Sequence, residues 1–134
     1  VDWNVLLDIT TKDGRGGPNH AGNFCFSHVH VDENGELVVH DSFHAFGQVS
    51  KFFPRGSVVV ESHVSANSGG AAAISEVESL AAIRPDGSFA VLLLNHGKAK
   101  RVFLTLNEAE AGALLDLESH SIATIELPHS TFQI

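Results

Sequence analysis

The sequence predicts a mainly β protein: an antiparallel β-sandwich over residues 57–134, preceded by a strand, a long loop, a hairpin and one helix over residues 1–56. Three observations carry this. Beyond Ser57, short apolar and β-branched runs recur between turn signals, the pattern of a sandwich. Only the stretch Ser42–Phe53 spaces its large apolar residues as a helix does, with Phe43, Phe46, Val49 and Phe53 on one stripe. Between Asp8 and Asn23, Gly14, Gly16, Gly17, Pro18 and Gly22 leave no room for a regular element.

Taken in order, Val1–Leu7 is rich in strand formers and the loop follows it. Phe24–Asp32 is extended, and Asn34-Gly35 signals a two-residue hairpin turn into Glu36–His40. Asp41 or Ser42 suits a helix cap, Lys51 lies in the last turn, and Pro54 and Gly56 stop the helix. Val58–Val64 alternates in part, and a small-residue loop covers Asn67–Ala73. Leu80–Arg84 and Ser88–Asn95 flank Pro85-Asp86-Gly87, where Pro presets φ and Gly accepts a positive one. Arg101–Leu106, Ala113–Leu117 and Ile122–Leu127 complete the strands, and Ser130–Ile134 closes the chain.

Length and charge narrow the function. A chain of 134 residues is one modest domain, well short of the ~250 residues of a complete (β/α)8 barrel. It starts at Val1 and holds no methionine, so a fragment or processed segment is expected. Acidic residues outnumber basic ones 16 to 8, for a net charge of −8, so nucleic acid is not an expected partner. No apolar run reaches the ~18 residues of a membrane span. Cys25 is the single cysteine and excludes an internal disulfide. Its expected role is packing between strands rather than nucleophilic attack.

Three stretches in order resemble the carboxy-terminal third of glycoside hydrolase family 30 enzymes of the glucocerebrosidase type. They are Asp2-Trp3-Asn4 with Gly16-Gly17-Pro18-Asn19 and Asn23-Phe24; then Gly47 and Ser50–Ser57; then Arg84-Pro85-Asp86-Gly87-Ser88, Leu94-Asn95, Thr124-Ile125, Pro128 and Ser130. The resemblance implies that residues 1–56 are the last strand-loop-helix unit of a (β/α)8 barrel and residues 57–134 its β-sandwich side domain. It also implies a retaining β-glucosidase or glucosylceramidase-like activity in the parent, with a secreted or lysosome-like setting. By position it implies that Trp3 and Asn23 line the sugar site, with Phe24 as a wall. An indole face suits the C–H face of a pyranose, and a carboxamide both donates to and accepts from a hydroxyl. His20 stands where the family usually has Trp, and the closing aromatic is absent.

Retaining glycosidases use two carboxylates ~5–5.5 Å apart. The family resemblance places both glutamates upstream of this segment, and none of the nine glutamates here matches either. No catalytic residue is therefore expected in this chain, which is expected to be inactive alone. The expected partners are a β-glucoside or glucosylceramide-type substrate and the upstream barrel portion of the same protein. No cofactor is expected. The alternative function is a non-catalytic β-sandwich that binds carbohydrate or braces a barrel. With one Trp outside the sandwich and no Tyr, the sandwich lacks the usual sugar-stacking residues.

Other constellations have simpler readings. The nine histidines raise a metal site, with His28, His30 and His40 brought together by the hairpin and His44 near His40. Zinc needs three or four converging ligands, and surface histidines are the expectation; no metal is assigned. Asp32–Glu36 lacks the spacing of a calcium loop and reads as a turn, with Glu33 and Glu36 solvated. Gly14-Arg15-Gly16-Gly17 lacks the following Lys-Ser/Thr of a phosphate loop. Asp2 and Asp8 lie near the implied site without an assigned role. The Phe43–Phe46–Phe53 stripe is expected to face a core, supplied in the parent by the barrel.

Overall fold

The computed structural model describes residues 5–8, 27–65, 76–105 and 112–128. The chain divides into two compact units, Val1–Gly47 and Gln48–Ile134. Among the described residues it is mainly β, with nine strands and one helix.

In the first unit β1 (Leu6–Asp8), β2 (Val29–Val31) and β3 (Leu37–Val39) form one sheet in that order. The β2–β3 pair is the expected hairpin, with Val31 opposite Leu37. Its loop is longer than the two residues expected. The amide of Asp32 donates to the Glu36 carbonyl at 2.9 Å and that of Gly35 to the Asp32 carbonyl at 3.0 Å. Only Gly35 takes a positive φ, 80°. This is the three-residue loop in which a turn is followed by a glycine in the left-handed region. Asn34 keeps negative φ because its amide is held by the Asp32 carboxylate at 2.9 Å. The β1–β2 pairing is parallel, Leu6 beside Val29. Sequence reading did not anticipate it, because parallel partners are never joined by a local turn that composition reveals.

The helix α1 spans Asp41–Phe52, close to the predicted Ser42–Phe53. Asp41 in the first turn and Lys51 in the last complement the helix dipole. Phe53 donates its amide to the Val49 carbonyl, and Pro54 blocks a further turn. A tight turn over Pro54–Ser57 follows, its Ser57 amide on the Pro54 carbonyl and Gly56 at a φ of 95°. No residue of the helix is buried. Phe43, Phe46 and Val49 are 44%, 49% and 46% exposed. The expected core-facing stripe thus exists as a stripe but is uncovered in this chain.

The second unit holds β4 (Val58–Val60), β5 (Val77–Ile83), β6 (Phe89–Asn95) and β9 (Ser121–Leu127) in one antiparallel sheet of that order. A two-stranded sheet of β7 (Lys100–Thr105) and β8 (Gly112–Leu117) accompanies it. Val77, Ala81, Val91 and Leu93 on one face of the larger sheet cluster with Leu117 of β8. Val102, Leu104 and Leu115 of the smaller sheet pack against this cluster. Two sheets closing on a shared apolar layer is the sandwich arrangement. The opposite face of the central strands is buried as well: Ala82 and Ala90 are 0% exposed and Leu92 9%. That explains why Ala90–Leu94 is a continuous apolar run rather than an alternating one.

The β5–β6 loop repeats the first hairpin's design. Arg84 pairs with Ser88, the Gly87 amide donates to the Arg84 carbonyl, and Gly87 takes a φ of 81°. Asp86 accepts from the Ser88 hydroxyl and, second, from the Ser88 amide, which together hold its carboxyl below the usual carboxylate range. β5 starts at Val77, earlier than the predicted Leu80, because the polar Glu78 and Ser79 hid its first residues. β4 ends at Val60 rather than Val64. Cys25, the glycine-rich segment and all of Asn67–Ala73 lie outside the described residues.

Asn95 closes β6. It is 1% exposed, and its amide group donates to the carbonyls of Lys98 at 2.9 Å and Glu118 at 2.7 Å. Its carbonyl oxygen accepts from the Gly97 amide at 3.1 Å. The His120 amide reaches the Gly97 carbonyl, and His120 is the one non-glycine residue of positive φ, 50°, among those described. One side chain thus ties the β6–β7 connection to the β8–β9 turn.

Candidate functional site

Trp3, Asn23 and Phe24, the residues that the resemblance assigns to a sugar site, lie outside the described residues, as does Asp2. The backbone of Asp8 ends β1. What the structure does assemble in this unit is the histidine face of the hairpin. Alternation along β2 puts His28 and His30 on one side. The His40 amide donates to the His28 carbonyl at 2.9 Å, which brings His40 opposite His28.

The three do not converge on one point. His30 Nδ1 and His40 Nε2 lie 2.7 Å apart, with ring centroids 4.8 Å apart and tilted by 38°. At that distance one ring N–H donates to the other ring's nitrogen, so these two atoms bond each other rather than offering two lone pairs. His28 turns elsewhere: its Nδ1 is 2.9 Å from the Ser42 hydroxyl and its ring 4.9 Å from that of Phe46. His28 is only 8% exposed, which corrects the expectation of a surface histidine. Its register places it beneath the start of α1, so its ring is a strut between hairpin and helix. Ser42 spends its hydroxyl on that strut. His44 meets the Phe43 ring edge-on at 5.7 Å, not His40. Among the described residues no group of three His, Cys, Asp or Glu side chains is placed to hold a metal ion.

Asp32 shows what its turn does. Its Oδ1 accepts the amides of Asn34 and Glu36, each at 2.9 Å. The bond from the Glu36 amide is the largest cause holding its carboxyl below the usual range, with the Asn34 amide adding to it. The carboxylate is committed to the loop's own backbone, and Glu33 and Glu36 are exposed.

In the second unit the outer face of β7–β8 groups residues that sequence reasoning passed over. Arg101 pairs with Asp116 and Phe103 with Leu114 across the ladder. Arg101 Nε donates to Asp116 at 2.7 Å, which lowers the Asp116 carboxyl and raises the guanidinium. Phe103 is 50% exposed and Leu114 61%. At the end of this ladder an open recess of about 450 Å³ is lined by Ala99, Lys100, Arg101, Asp116, Leu117 and Glu118. The alternation of Arg101-Val102-Phe103 was the available signal, since it puts Arg and Phe on one face and Val on the other.

Comparison with known proteins bears on both units. The family description "Glycosyl hydrolase family 30 beta sandwich domain" matches residues 56–125. The lysosomal acid glucosylceramidase of Mus musculus is 33% identical over 115 residues, 85% of this chain and 20% of that protein. The crystal structure of SrfJ from Salmonella typhimurium superposes with a TM-score of 0.76 at 24% identity, over 93% of this chain and 25% of that one. A solved endo-beta1,6-glucanase gives 0.71 at 19% identity, again over 93% of this chain. These structural likenesses speak to fold. The chain spans about a fifth of the length of the mouse relative. With more than half of its residues matched by the family's sandwich domain, the chain belongs to glycoside hydrolase family 30.

Proposed function

We propose that this chain is the carboxy-terminal portion of a retaining β-glucosidase of the glucosylceramidase type. In this reading it contributes substrate-site residues and the bracing sandwich, and the catalytic glutamates lie in an upstream barrel. Residues 1–56 form the last strand-loop-helix unit of that barrel. Trp3 lines the sugar site from the strand end, Asn23 hydrogen-bonds a sugar hydroxyl, and Phe24 forms a wall. Residues 57–134 form the side domain.

The observation that carries the reading is α1. Its apolar stripe has the spacing of a core helix, yet Phe43, Phe46 and Val49 stand about half exposed and nothing in the helix is buried. A surface of this kind is costly in water and belongs against further protein. The 33% identity to a glucosylceramidase of which the match covers only 20% supports the same view.

The mechanism assigned to the parent follows from barrel chemistry, in which loops at the carboxyl ends of the strands build the site. Hydroxyl contacts from Asn23 and stacking on Trp3 would hold the glucoside while two upstream carboxylates act as nucleophile and acid/base. No membrane-spanning helix occurs among the described residues.

The test is hydrolysis of a fluorogenic β-glucoside by this chain, by the upstream barrel segment, and by the two mixed. Activity only in the mixture, lost with Trp3→Ala or Asn23→Ala, is the expected result. Turnover by this chain alone would refute the placement of the catalytic carboxylates.

A further inference from the structure

We propose that the outer face of the β7–β8 hairpin, with the recess at its end, is a binding site for a neutral sugar. Phe103 is its stacking platform, and Arg101 and Asp116 are its hydrogen-bonding groups. The site lies wholly in the second unit and stands whether or not a barrel precedes the chain.

The ladder builds the platform. Register sets Arg101 opposite Asp116 and Phe103 opposite Leu114, so the four side chains form one contiguous exposed square. A Cβ added at Gly112, diagonal to Phe103, would come 2.9 Å from the Phe103 ring tip. The absence of a side chain there lets the ring lean along the sheet. A ring lying along a sheet presents a face, and the C–H side of a pyranose fits such a face. Counting only Trp and Tyr missed this residue; stacking needs the ring, not the phenol oxygen or the indole nitrogen.

Charge balance selects the ligand. The recess lining holds Lys100, Arg101, Asp116 and Glu118 over the apolar floor of Leu117, and both cations are already paired, Arg101 with Asp116 at 2.7 Å and Lys100 with Glu76 at 2.6 Å. An anion entering it finds both cations already neutralised by carboxylates. A neutral polyol meets N–H donors for its oxygens and carboxylate acceptors for its hydroxyl protons. The recess is open, and Phe103 stands beside it on the same face as Arg101.

The experiment is a two-dimensional amide NMR titration of the 134-residue chain with methyl β-D-glucopyranoside and with cellobiose. Saturable shifts confined to residues 99–103 and 114–118, with a Kd on the order of millimolar, are expected. Phe103→Ala should weaken binding by about fivefold or more, a loss of ~1 kcal/mol. Phe103→Leu, which keeps apolar bulk without a ring, should weaken it similarly and guards against a folding defect. Glucuronate and glucosamine should bind no more tightly than the neutral sugars. No saturable shift in the wild type, shifts that survive both Phe103 variants, or tighter binding of either charged sugar would overturn the proposal.

Discussion

Replacing Asn95 by Ala should cost the second unit about 3 kcal/mol of stability. The side chain is 1% exposed and makes three hydrogen bonds, to the carbonyls of Lys98 and Glu118 and from the amide of Gly97. Each such bond contributes about 0.5–1.5 kcal/mol net, and each buried backbone group left unpaired costs about 1–3 kcal/mol. Partial access of water to the two turns offsets some of that, which sets the figure near the lower bound. For a unit of this size ~3 kcal/mol corresponds to a fall in Tm of about 12 °C or more. Urea unfolding followed by far-UV circular dichroism measures it, with a lower midpoint at unchanged slope. Asn95→Asp sharpens the test. It keeps an acceptor for Gly97 but turns carboxylate oxygen toward two carbonyls, so it should be worse than Ala at neutral pH. Burial and the facing carbonyls raise the pKa of that carboxyl in the folded state, so its deficit should shrink as pH falls and a neutral acid regains one donor. A loss below about 1 kcal/mol for Ala, or a wild-type midpoint for Asp at neutral pH, would refute the staple.

Leu93→Ala removes a 3%-exposed side chain from the shared core and should cost ~2–5 kcal/mol in the same denaturation experiment. Gly35→Ala meets no neighbouring atom within 4 Å but sits at a φ of 80°, so it should cost ~1–2 kcal/mol through backbone strain alone; Gly35→Asn should cost less, which amide exchange on the hairpin can read. Asp32 has a depressed carboxyl pKa in the fold, so its contribution is present above the unfolded value of about 4 and is lost as pH falls through the folded one. Hairpin amide protection should therefore drop in acid in the wild type, and Asp32→Ala should flatten that dependence.

The elements were legible where local chemistry decides them. Phe43, Phe46 and Val49 announced a helix, Pro54 ended it, and Pro85-Asp86-Gly87 located a hairpin. Short-range signals failed where the outcome depends on the partner strand. Asn34-Gly35 suggests a two-residue turn, but the Asp32 carboxylate captures the Asn34 and Glu36 amides and favours three. The parallel β1–β2 pairing has no local signature at all. At the candidate site, sequence grouped His28, His30 and His40 correctly on one hairpin, yet the hydrogen-bonded pair His30–His40 and the buried strut His28–Ser42 are set by diagonal geometry that spacing does not encode. The β7–β8 face was overlooked because exposure of Phe103 is a property of the second sheet, not of the residue.

The strand order has a consequence for how the chain is made. β6 pairs with β5 through a three-residue loop, but its other neighbour is β9, and residues 96–120 lie between them. A nascent chain therefore presents Ala90–Leu94, an uncharged apolar run, on a bare strand edge until Leu127 has been synthesised. Such an edge is a template for pairing with another copy. Premature termination anywhere in β7–β8 would leave that template permanently open, so truncated products of this domain should be caught by chaperones or accumulate as aggregates rather than persist as soluble fragments.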